Sequence, residues 1–211
     1  MIKSRINNDQ AIIQLAQKAL QKKFHGYTPD STIPIVATIE VEEKHWVKKN
    51  GILQAIWQKQ PTLQCMLDDL LTNNGRDVIH QQSFLNGGQP AQFAYYAISS
   101  DATFSVDFTA GSTTINNEII TPTHMVRHLL TQNWGGVTES YTHSAGTNTT
   151  TCVASFENNT GSGSLSVYGY GNANAASGVT IGFGSSFTGV TLNSAAGAYD
   201  VLKLTVTLTL G

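Results

Sequence analysis

Apolar and polar side chains alternate one by one over residues 202–210, near the end of the chain. The apolar positions of this run are Leu202, Leu204, Val206, Leu208 and Leu210, and the positions between them hold Lys203 and three threonines. A period of two predicts a β-strand with one buried face and one face in solvent. Residues 137–200 consist of similar short runs of Thr, Val, Ser, Tyr and Phe that Gly and Asn interrupt. That punctuation is typical of antiparallel strands joined by tight turns, and it predicts a β-sandwich or a small barrel.

The segment before this region is predicted to hold further strands and one ambiguous stretch. Residues 93–99 (FAYYAIS) and 104–109 are predicted strands, and a turn follows at residues 111–114. Residues 121–132 are ambiguous, because Thr121-Pro122 can begin a helix that carries Met125 and Leu129. The pattern favours a short helix or an irregular segment there.

A β-hairpin is predicted in the first half of the chain. Residues 35–42 alternate apolar and polar, residues 52–57 read as a second strand, and Asn50-Gly51 between them is a strong hairpin-turn signal. Trp46 and Trp57 lie on either side of this turn and can pair across it. We interpret the two tryptophans as a small core of this region, with contact to a partner as the alternative.

Two helices are predicted to flank the hairpin. Residues 9–24 carry apolar side chains at spacings of three and four, including Leu15 and Leu20, with Asn8 as the N-cap. This helix covers the chain's own core or docks on a partner. Pro61 is predicted to begin a second helix that Asn74-Gly75 ends, and residues 76–82 extend it as a short helix. The apolar stripe of the second helix is Leu63, Met66, Leu67, Leu70 and Leu71.

Charge divides the 211-residue chain into two parts. Residues 1–90 hold ten Lys or Arg and eight Asp or Glu, whereas residues 91–211 hold only Arg127 and Lys203 against six acidic side chains. The change coincides with a linker-like NGGQP at residues 86–90. We therefore predict an α+β anchoring region over 1–90 (helix, hairpin, helix) and a mainly antiparallel β-sandwich, jelly-roll-like or immunoglobulin-like, over 91–211.

Composition argues against several classes of partner. Charged residues make up 12% of the chain and the net charge is −2, so no strong positive field exists to attract nucleic acid. The chain shows no apolar run of about 18 residues and no signal-peptide pattern, which predicts synthesis in the cytoplasm and no membrane partner. Cys65 and Cys152 are read as buried thiols, Cys65 on the second helix and Cys152 on a strand, rather than as a disulfide.

The residues that could carry chemistry do not form a recognisable site. His124 and His128 stand four apart, as zinc ligands on a helix would, but a third ligand is missing and Arg127 between them opposes a cation. We expect exposed or hydrogen-bonded histidines and no metal. No serine-nucleophile or dinucleotide motif is present, which predicts no enzyme and no cofactor. Tyrosines that could pack in the core or bind sugars or proteins are Tyr95, Tyr96, Tyr141, Tyr168, Tyr170 and Tyr199.

Several phrases of residues 92–211 follow an order that resembles a module at the end of tailed-bacteriophage virion proteins. They are THSAGTNT (142–149), Ser155–Phe156, YGYGNA (168–173), FTGVTLNS (187–194) and LKLTVTLTL (202–210), and the segments 98–105 and 117–119 resemble the entry to the module. The chain departs from the pattern at residues 195–199, where AAGAY replaces a tight Gly-Asp turn, and at an insertion over residues 134–136. The resemblance implies a virion structural protein of head-decoration, neck or tail accessory type.

The sequence thus predicts a non-enzymatic component of a phage capsid or tail. It would be made in the host cytoplasm and would assemble in the virion with copies of itself and with other virion proteins. A continuous apolar helix stripe and two tryptophans, in a region too small to bury all of its apolar surface, point to the N-terminal region for this contact, through Leu15, Leu20, Trp46 and Trp57. The alternative is a receptor- or carbohydrate-binding adhesin or tail-fibre module, and a weaker one is a phage hydrolase.

Overall fold

The computed structural model describes residues 35–66, 71–77, 93–176 and 181–210. The predicted first helix, with Leu15 and Leu20, and the predicted linker at residues 86–90 lie outside these ranges. The described residues form strands β1 (Ile35–Lys49), β2 (Ile52–Lys59), β3 (Leu63–Met66), β4 (Tyr95–Ser99), β5 (His128–Leu129), β6 (Asn133–Trp134), β7 (Val137–Thr138), β8 (Ser140–Ser144), β9 (Thr149–Glu157), β10 (Ser164–Ala173), β11 (Ile181–Ala195), β12 (Ala198–Tyr199) and β13 (Val201–Leu210).

The strands assemble into two larger antiparallel sheets and one small one. The first sheet has the order β2-β1-β13-β9-β8, with β3 also paired to β1, and the second has the order β12-β11-β10-β4-β5. Strands β6 and β7 form a separate two-stranded sheet. One buried apolar cluster contains side chains of both larger sheets, among them Ile39, Phe156, Leu204, Tyr170 and Leu192. The antiparallel β architecture is confirmed, and two sheets that share one core are consistent with the predicted β-sandwich.

The alternation that predicts the last strand has the expected physical basis. Leu202, Leu204 and Val206 are at most 1% exposed, whereas Lys203, Thr205 and Thr207 on the opposite face are half-buried. Burying each large apolar side chain contributes about 1.5–3 kcal/mol. This gain fixes which face of β13 points to the core.

Strand β1 lies beside β13 and not in a separate domain. The two strands pair in antiparallel register from Ile35 opposite Leu210 to Lys44 opposite Val201. The alternating residues Ala37, Ile39 and Val41 of β1 are buried in the same cluster as the apolar residues of β13. The described residues between 35 and 210 accordingly fall within one compact unit. The described residues correct the predicted boundary at residue 90, because the first part of the chain supplies an interior strand of the first sheet.

The predicted α+β character of the first ninety residues is not supported where the chain is described. Leu63–Met66 form strand β3, which pairs with β1, and not the first turn of a helix. Four residues are too few for the spacing of Leu and Met to separate a helix from a strand, and the free edge of β1 decides between them. Residues 73–77 are helical, and Thr72 Oγ1 accepts a hydrogen bond from the N–H of Gly75.

The predicted strand at residues 104–109 is also wrong. Phe104–Asp107 form one helical turn. Asp101 Oδ1 accepts hydrogen bonds from the N–H and the hydroxyl of Thr103, at 3.0 and 2.7 Å. This side-chain bonding favours a turn over an extended chain. Residues 121–132 are mostly irregular, as the pattern favours, and contain the short strand β5.

Two-residue turns close three of the hairpins. Asn50 and Gly51 have φ angles of 51° and 81°, which confirms the hairpin predicted there. Gly135 and Gly136 between β6 and β7 have φ angles of 58° and 82°. The departure at residues 195–199 is a turn through Ala196 and Gly197, with φ of 78° at Gly197, between β11 and β12.

Candidate functional site

A two-stranded arm extends from one edge of the first sheet. β1 pairs with β13 only as far as Lys44, so residues 45–49 of β1 pair with β2 alone. We call residues 45–59 the arm. Every residue of β2 is exposed. The arm's exposed large apolar side chains are Val47 (37%), Ile52 (64%), Leu53 (47%), Ile56 (42%) and Trp57 (42%). Clustered apolar side chains in solvent mark interaction surfaces.

The apolar side chains cover both faces of the arm. Residues directly opposite each other in an antiparallel pair point to the same face. One face carries Leu53 and Trp57, with Trp46 opposite Ala55. The other face carries Ile52, Ile56 and Val47. The arm therefore has no solvent face of the kind that a half-buried strand shows.

The two tryptophans do not face each other directly. Trp57 lies opposite Lys44, and Trp46 lies opposite Ala55. The Lys44 Nζ atom lies 5.3 Å from the Trp46 ring centroid and 5.9 Å from that of Trp57, and it donates a hydrogen bond to the carbonyl oxygen of Gly135 at 2.7 Å. Trp46 is half-buried and Trp57 is exposed. Their role as assembly contacts stays a prediction.

The base of the arm is held by a histidine between two carboxylates. The His45 Nδ1 atom hydrogen-bonds to Asp200 Oδ2 at 2.8 Å, and its Nε2 atom to Glu43 Oε2 at 2.7 Å. Burial alone would lower the pKa of His45, but the hydrogen bonds to Asp200 and Glu43 raise it above its usual 6.5. The Trp46 indole N–H also donates to the carbonyl oxygen of Tyr199 at 2.9 Å. Because residues 199 and 200 follow β11 of the second sheet, these contacts join the two sheets at this edge.

A second histidine–carboxylate pair joins the sheets at the opposite edge. The His128 Nε2 atom on β5 hydrogen-bonds to Glu139 Oε1 at 2.8 Å. Glu139 also accepts bonds from the N–H groups of Ser155 (2.7 Å) and Gln132 (2.8 Å). Burial opposes ionisation of Glu139, but the hydrogen bonds from His128 and these N–H groups outweigh it and lower the pKa below its usual 4.5.

The two histidines considered for zinc are each bound to a different glutamate. His124 Nδ1 hydrogen-bonds to Glu157 Oε1 at 2.9 Å, and His128 is bound to Glu139. Their rings lie 4.7 and 4.5 Å from the Trp134 ring, centroid to centroid. Within the described ranges, no three His, Cys, Asp or Glu side chains gather in a way that could hold a metal ion. The insertion at residues 134–136 supplies the tryptophan of this cluster.

A shallow groove lies between the β6–β7 hairpin and the arm. Its volume is about 530 Å³. Trp57 lies on the arm side, and Lys203 Nζ donates to Glu42 Oε1 at 2.6 Å within the groove. The remaining lining residues are Gly136, Val137, Thr138 and Val153. An aromatic ring beside paired polar groups can bind the face of a sugar.

The tyrosines of the β region divide between packing and exposure. Tyr96 and Tyr170 are buried and stack with ring centroids 6.4 Å apart. Tyr141 is 67% exposed. Tyr95, Tyr168 and Tyr199 are half-buried. Cys152 is a buried free thiol on β9, and burial raises its pKa; Cys65 lies on β3 and not on a helix.

Comparison with known proteins adds no relative. No protein-family model matches the sequence, and no curated protein is similar enough to count as a relative. In the part of the chain that the structure describes, no helix is long and apolar enough to span a membrane.

Proposed function

We propose that this protein is a non-enzymatic structural component of a tailed-phage particle. It acts as a capsid-decoration, neck or tail accessory protein that assembles with copies of itself and with other virion proteins. The observation that carries the proposal is the arm, whose apolar side chains are exposed on both faces. Synthesis in the host cytoplasm and residence in the virion belong to the same proposal.

The arm is suited to assembly because its base is fixed and large apolar side chains are exposed on it. Asp200, which is 2% exposed, accepts hydrogen bonds from His45 and from the backbone N–H of Trp46. These contacts hold the arm before a partner arrives, which lowers the entropy that binding costs. Burying one large apolar side chain in an interface contributes about 1.5–3 kcal/mol. Five such residues are exposed on the arm.

A structural role also agrees with how the histidines and carboxylates are used. His45, His124 and His128 are each hydrogen-bonded to acidic side chains of this chain. Such pairs hold together elements that are distant in sequence. The phrases that resemble the phage module support the same role, since they lie on β8 to β13. The finer class of the sandwich, jelly-roll-like or immunoglobulin-like, is part of this proposal.

The test is incorporation into particles. A phage that lacks the gene is supplied with the wild-type chain or a variant, and the particles are purified on a density gradient and analysed by mass spectrometry. We expect the wild-type chain at a fixed copy number per particle. Absence of the chain from purified particles would overturn the proposed function.

The N-terminal contact has its own variant. The predicted helix over residues 9–24 presents Leu15 and Leu20 on its apolar stripe. We expect the double change Leu15→Asp and Leu20→Asp to abolish incorporation while the β-sheets stay folded. Incorporation at the wild-type level would show that these two residues are not part of the contact.

The groove beside Trp57 favours a second candidate function, a carbohydrate-binding adhesin. Its lining combines an exposed aromatic ring with the Glu42–Lys203 ion pair. Titration of the full chain with a glycan panel, followed by tryptophan fluorescence, tests this function. A saturable change that Trp57→Ala removes and Tyr141→Ala preserves would support sugar binding; no change with any glycan would exclude this function for the panel.

A further inference from the structure

The outer edge of β2 is open in the part of the chain that the structure describes. β2 ends the order of the first sheet. Lys49 and Ile52 form the pair that closes the two-residue turn, and the N–H of Gln60 donates to the carbonyl oxygen of Val41 at 2.9 Å. The even-numbered residues of β2 therefore bond to β1. Because the bonding direction alternates along a strand, the N–H and C=O groups of Leu53, Ala55 and Trp57 point away from β1.

This edge lacks the features that usually protect an edge strand. Such strands commonly carry a proline, a charge or a β-bulge. Residues 52–58 (ILQAIWQ) contain no proline and no charged residue, and their register with β1 has no shift. An eight-residue edge strand with five apolar side chains and outward-pointing backbone groups is a template for another strand.

We propose that the edge pairs with β2 of a second copy of this chain, antiparallel, about a two-fold axis beside Ala55. This inference rests on the proposed assembly function and names the partner. A two-fold axis perpendicular to the sheet keeps each face continuous across the two strands. Ala55 then lies opposite the partner's Ala55, and Leu53 lies opposite the partner's Trp57 at two equivalent places. Leu53, Ala55 and Trp57, whose backbone groups point outward, therefore lie opposite partner residues whose backbone groups also point outward, as an antiparallel pair requires.

The charges of the arm agree with this register. Lys59, the one charged residue of β2, lies opposite the partner's Gly51. On the other face, Ile52 lies opposite the partner's Gln58, so that Lys49 and the partner's Glu43 flank the same row of side chains. Like charges are not directly opposed anywhere along the pair. A shift by one step, to Ile56 opposite itself, would replace the two Leu53–Trp57 pairs by Lys59 against Leu53 and Trp57 against the smaller Ala55, which favours the axis beside Ala55.

Charge complementation at Ala55 tests the pairing in the full chain. Wild-type protein should sediment as a dimer of the 22.7 kDa chain. Ala55→Lys and Ala55→Glu should each sediment as monomers, because each new charge lies opposite its own image. An equimolar mixture of the two variants should recover the dimer. Thr142→Lys, on the exposed strand β8 at the other end of the same sheet, is the matched control and should stay dimeric.

Hydrogen exchange gives a second readout of the same edge. The amides of Leu53, Ala55 and Trp57 should exchange more slowly in the wild-type dimer than in the Ala55→Lys monomer. A wild-type chain that is monomeric at every concentration overturns the proposal, whether another protein or the chain's own first residues cover the edge. Single variants that remain dimeric overturn it as well.

Sedimentation and particle incorporation separate this inference from the function on which it rests. A chain that dimerises through Ala55 but is absent from purified particles upholds the pairing and refutes the virion function. A monomeric chain that is present in particles refutes the pairing and supports the virion function.

Discussion

At each of the two edges of the described fold, a histidine–carboxylate pair joins the two sheets, but the two pairs differ in how exposed they are. At the β5–β8 edge, His128 and Glu139 join the sheets with side chains that are 7% and 0% exposed. At the β2–β12 edge, His45 and Asp200 join them with side chains that are 21% and 3% exposed. Next to the His128–Glu139 pair, Trp134 of the β6–β7 hairpin packs on the His128 ring. Next to the His45–Asp200 pair, the first sheet continues into the exposed arm.

The difference separates residues that hold the fold from residues that are free for another task. We call the β5–β8 edge the closed edge and the β2–β12 edge the open edge. Around the His128–Glu139 pair of the closed edge, the apolar side chains of Phe156 and Val137 are already buried, so they contribute to folding. Those of the arm remain in solvent, and their burial is available to a partner. We therefore expect changes at the closed edge to alter stability and changes of the arm's exposed apolar side chains to alter assembly.

The largest expected effect comes from removing the strand that both parts of the chain share. A fragment over residues 92–211 lacks β1 and leaves one side of β13 unpaired. The buried faces of Leu202, Leu204 and Val206 would lose neighbours, so we expect no cooperative thermal unfolding. A fragment that melts cooperatively would restore the boundary that the sequence predicts at residue 90. Differential scanning calorimetry, with the full chain as control, decides between these outcomes.

Next in size is the loss of the carboxylate at the closed edge. Glu139→Ala leaves His128 and the N–H groups of Ser155 and Gln132 buried without their partner. Such a change destabilises by about 3 kcal/mol, measured by urea unfolding at neutral pH. Glu139→Gln keeps the shape and one acceptor oxygen and should lose less. Equal stability of Glu139→Ala and wild type would mean that the pair does not hold this edge.

A smaller, pH-dependent effect is expected at the open edge. Because the pKa of His45 is raised above 6.5 in the folded chain, its contribution is complete below pH 6.5 and is lost as the pH rises through the raised pKa. The gap in unfolding free energy between wild type and His45→Gln should therefore shrink as the solution becomes alkaline. His143→Gln, an exposed histidine bonded to Thr150, is the control. A difference in unfolding free energy that stays constant as the pH rises above 6.5 would contradict the raised pKa of His45.

The closed edge should respond to pH in the opposite sense. The pKa of Glu139 is lowered below 4.5, so its contribution is present above pH 4.5 and is lost as the pH falls through the lowered value. Acid unfolding of wild type and Glu139→Gln should converge at low pH. If the two curves keep their separation in acid, another group controls this edge.

Local patterns in the sequence predict local structure well in this chain. Asn50-Gly51 predicts the hairpin because only a few residues adopt two successive positive φ angles. The alternation over residues 202–210 predicts β13 because burial selects one face. The pattern of the four residues of β3 does not predict their structure, since their spacing fits a helix equally well. They form a strand because they pair with the edge of β1.

Contacts between distant residues were beyond reach of the same patterns. His45 and Asp200 lie 155 positions apart. His128 can bond to Glu139 only because the β6–β7 hairpin between them reverses the chain direction. The spacing of His124 and His128 suggests one helix face, yet the chain there is irregular and directs each histidine to a different glutamate. The exposed arm could be anticipated only in part, because an alternating strand looks the same whether its apolar face is covered or not.

The central claim is that the exposed apolar side chains of the arm serve assembly and not folding, and one paired measurement tests it. The double variant Leu53→Asp and Trp57→Ser is compared with Ile120→Asp, which changes an isoleucine that is 76% exposed outside the arm. We expect both proteins to keep the wild-type free energy of unfolding within about 0.5 kcal/mol, as surface changes usually do. Only the double variant should be lost from purified particles. Incorporation of the double variant at the wild-type level, or a loss of several kcal/mol in its unfolding free energy, would contradict the account.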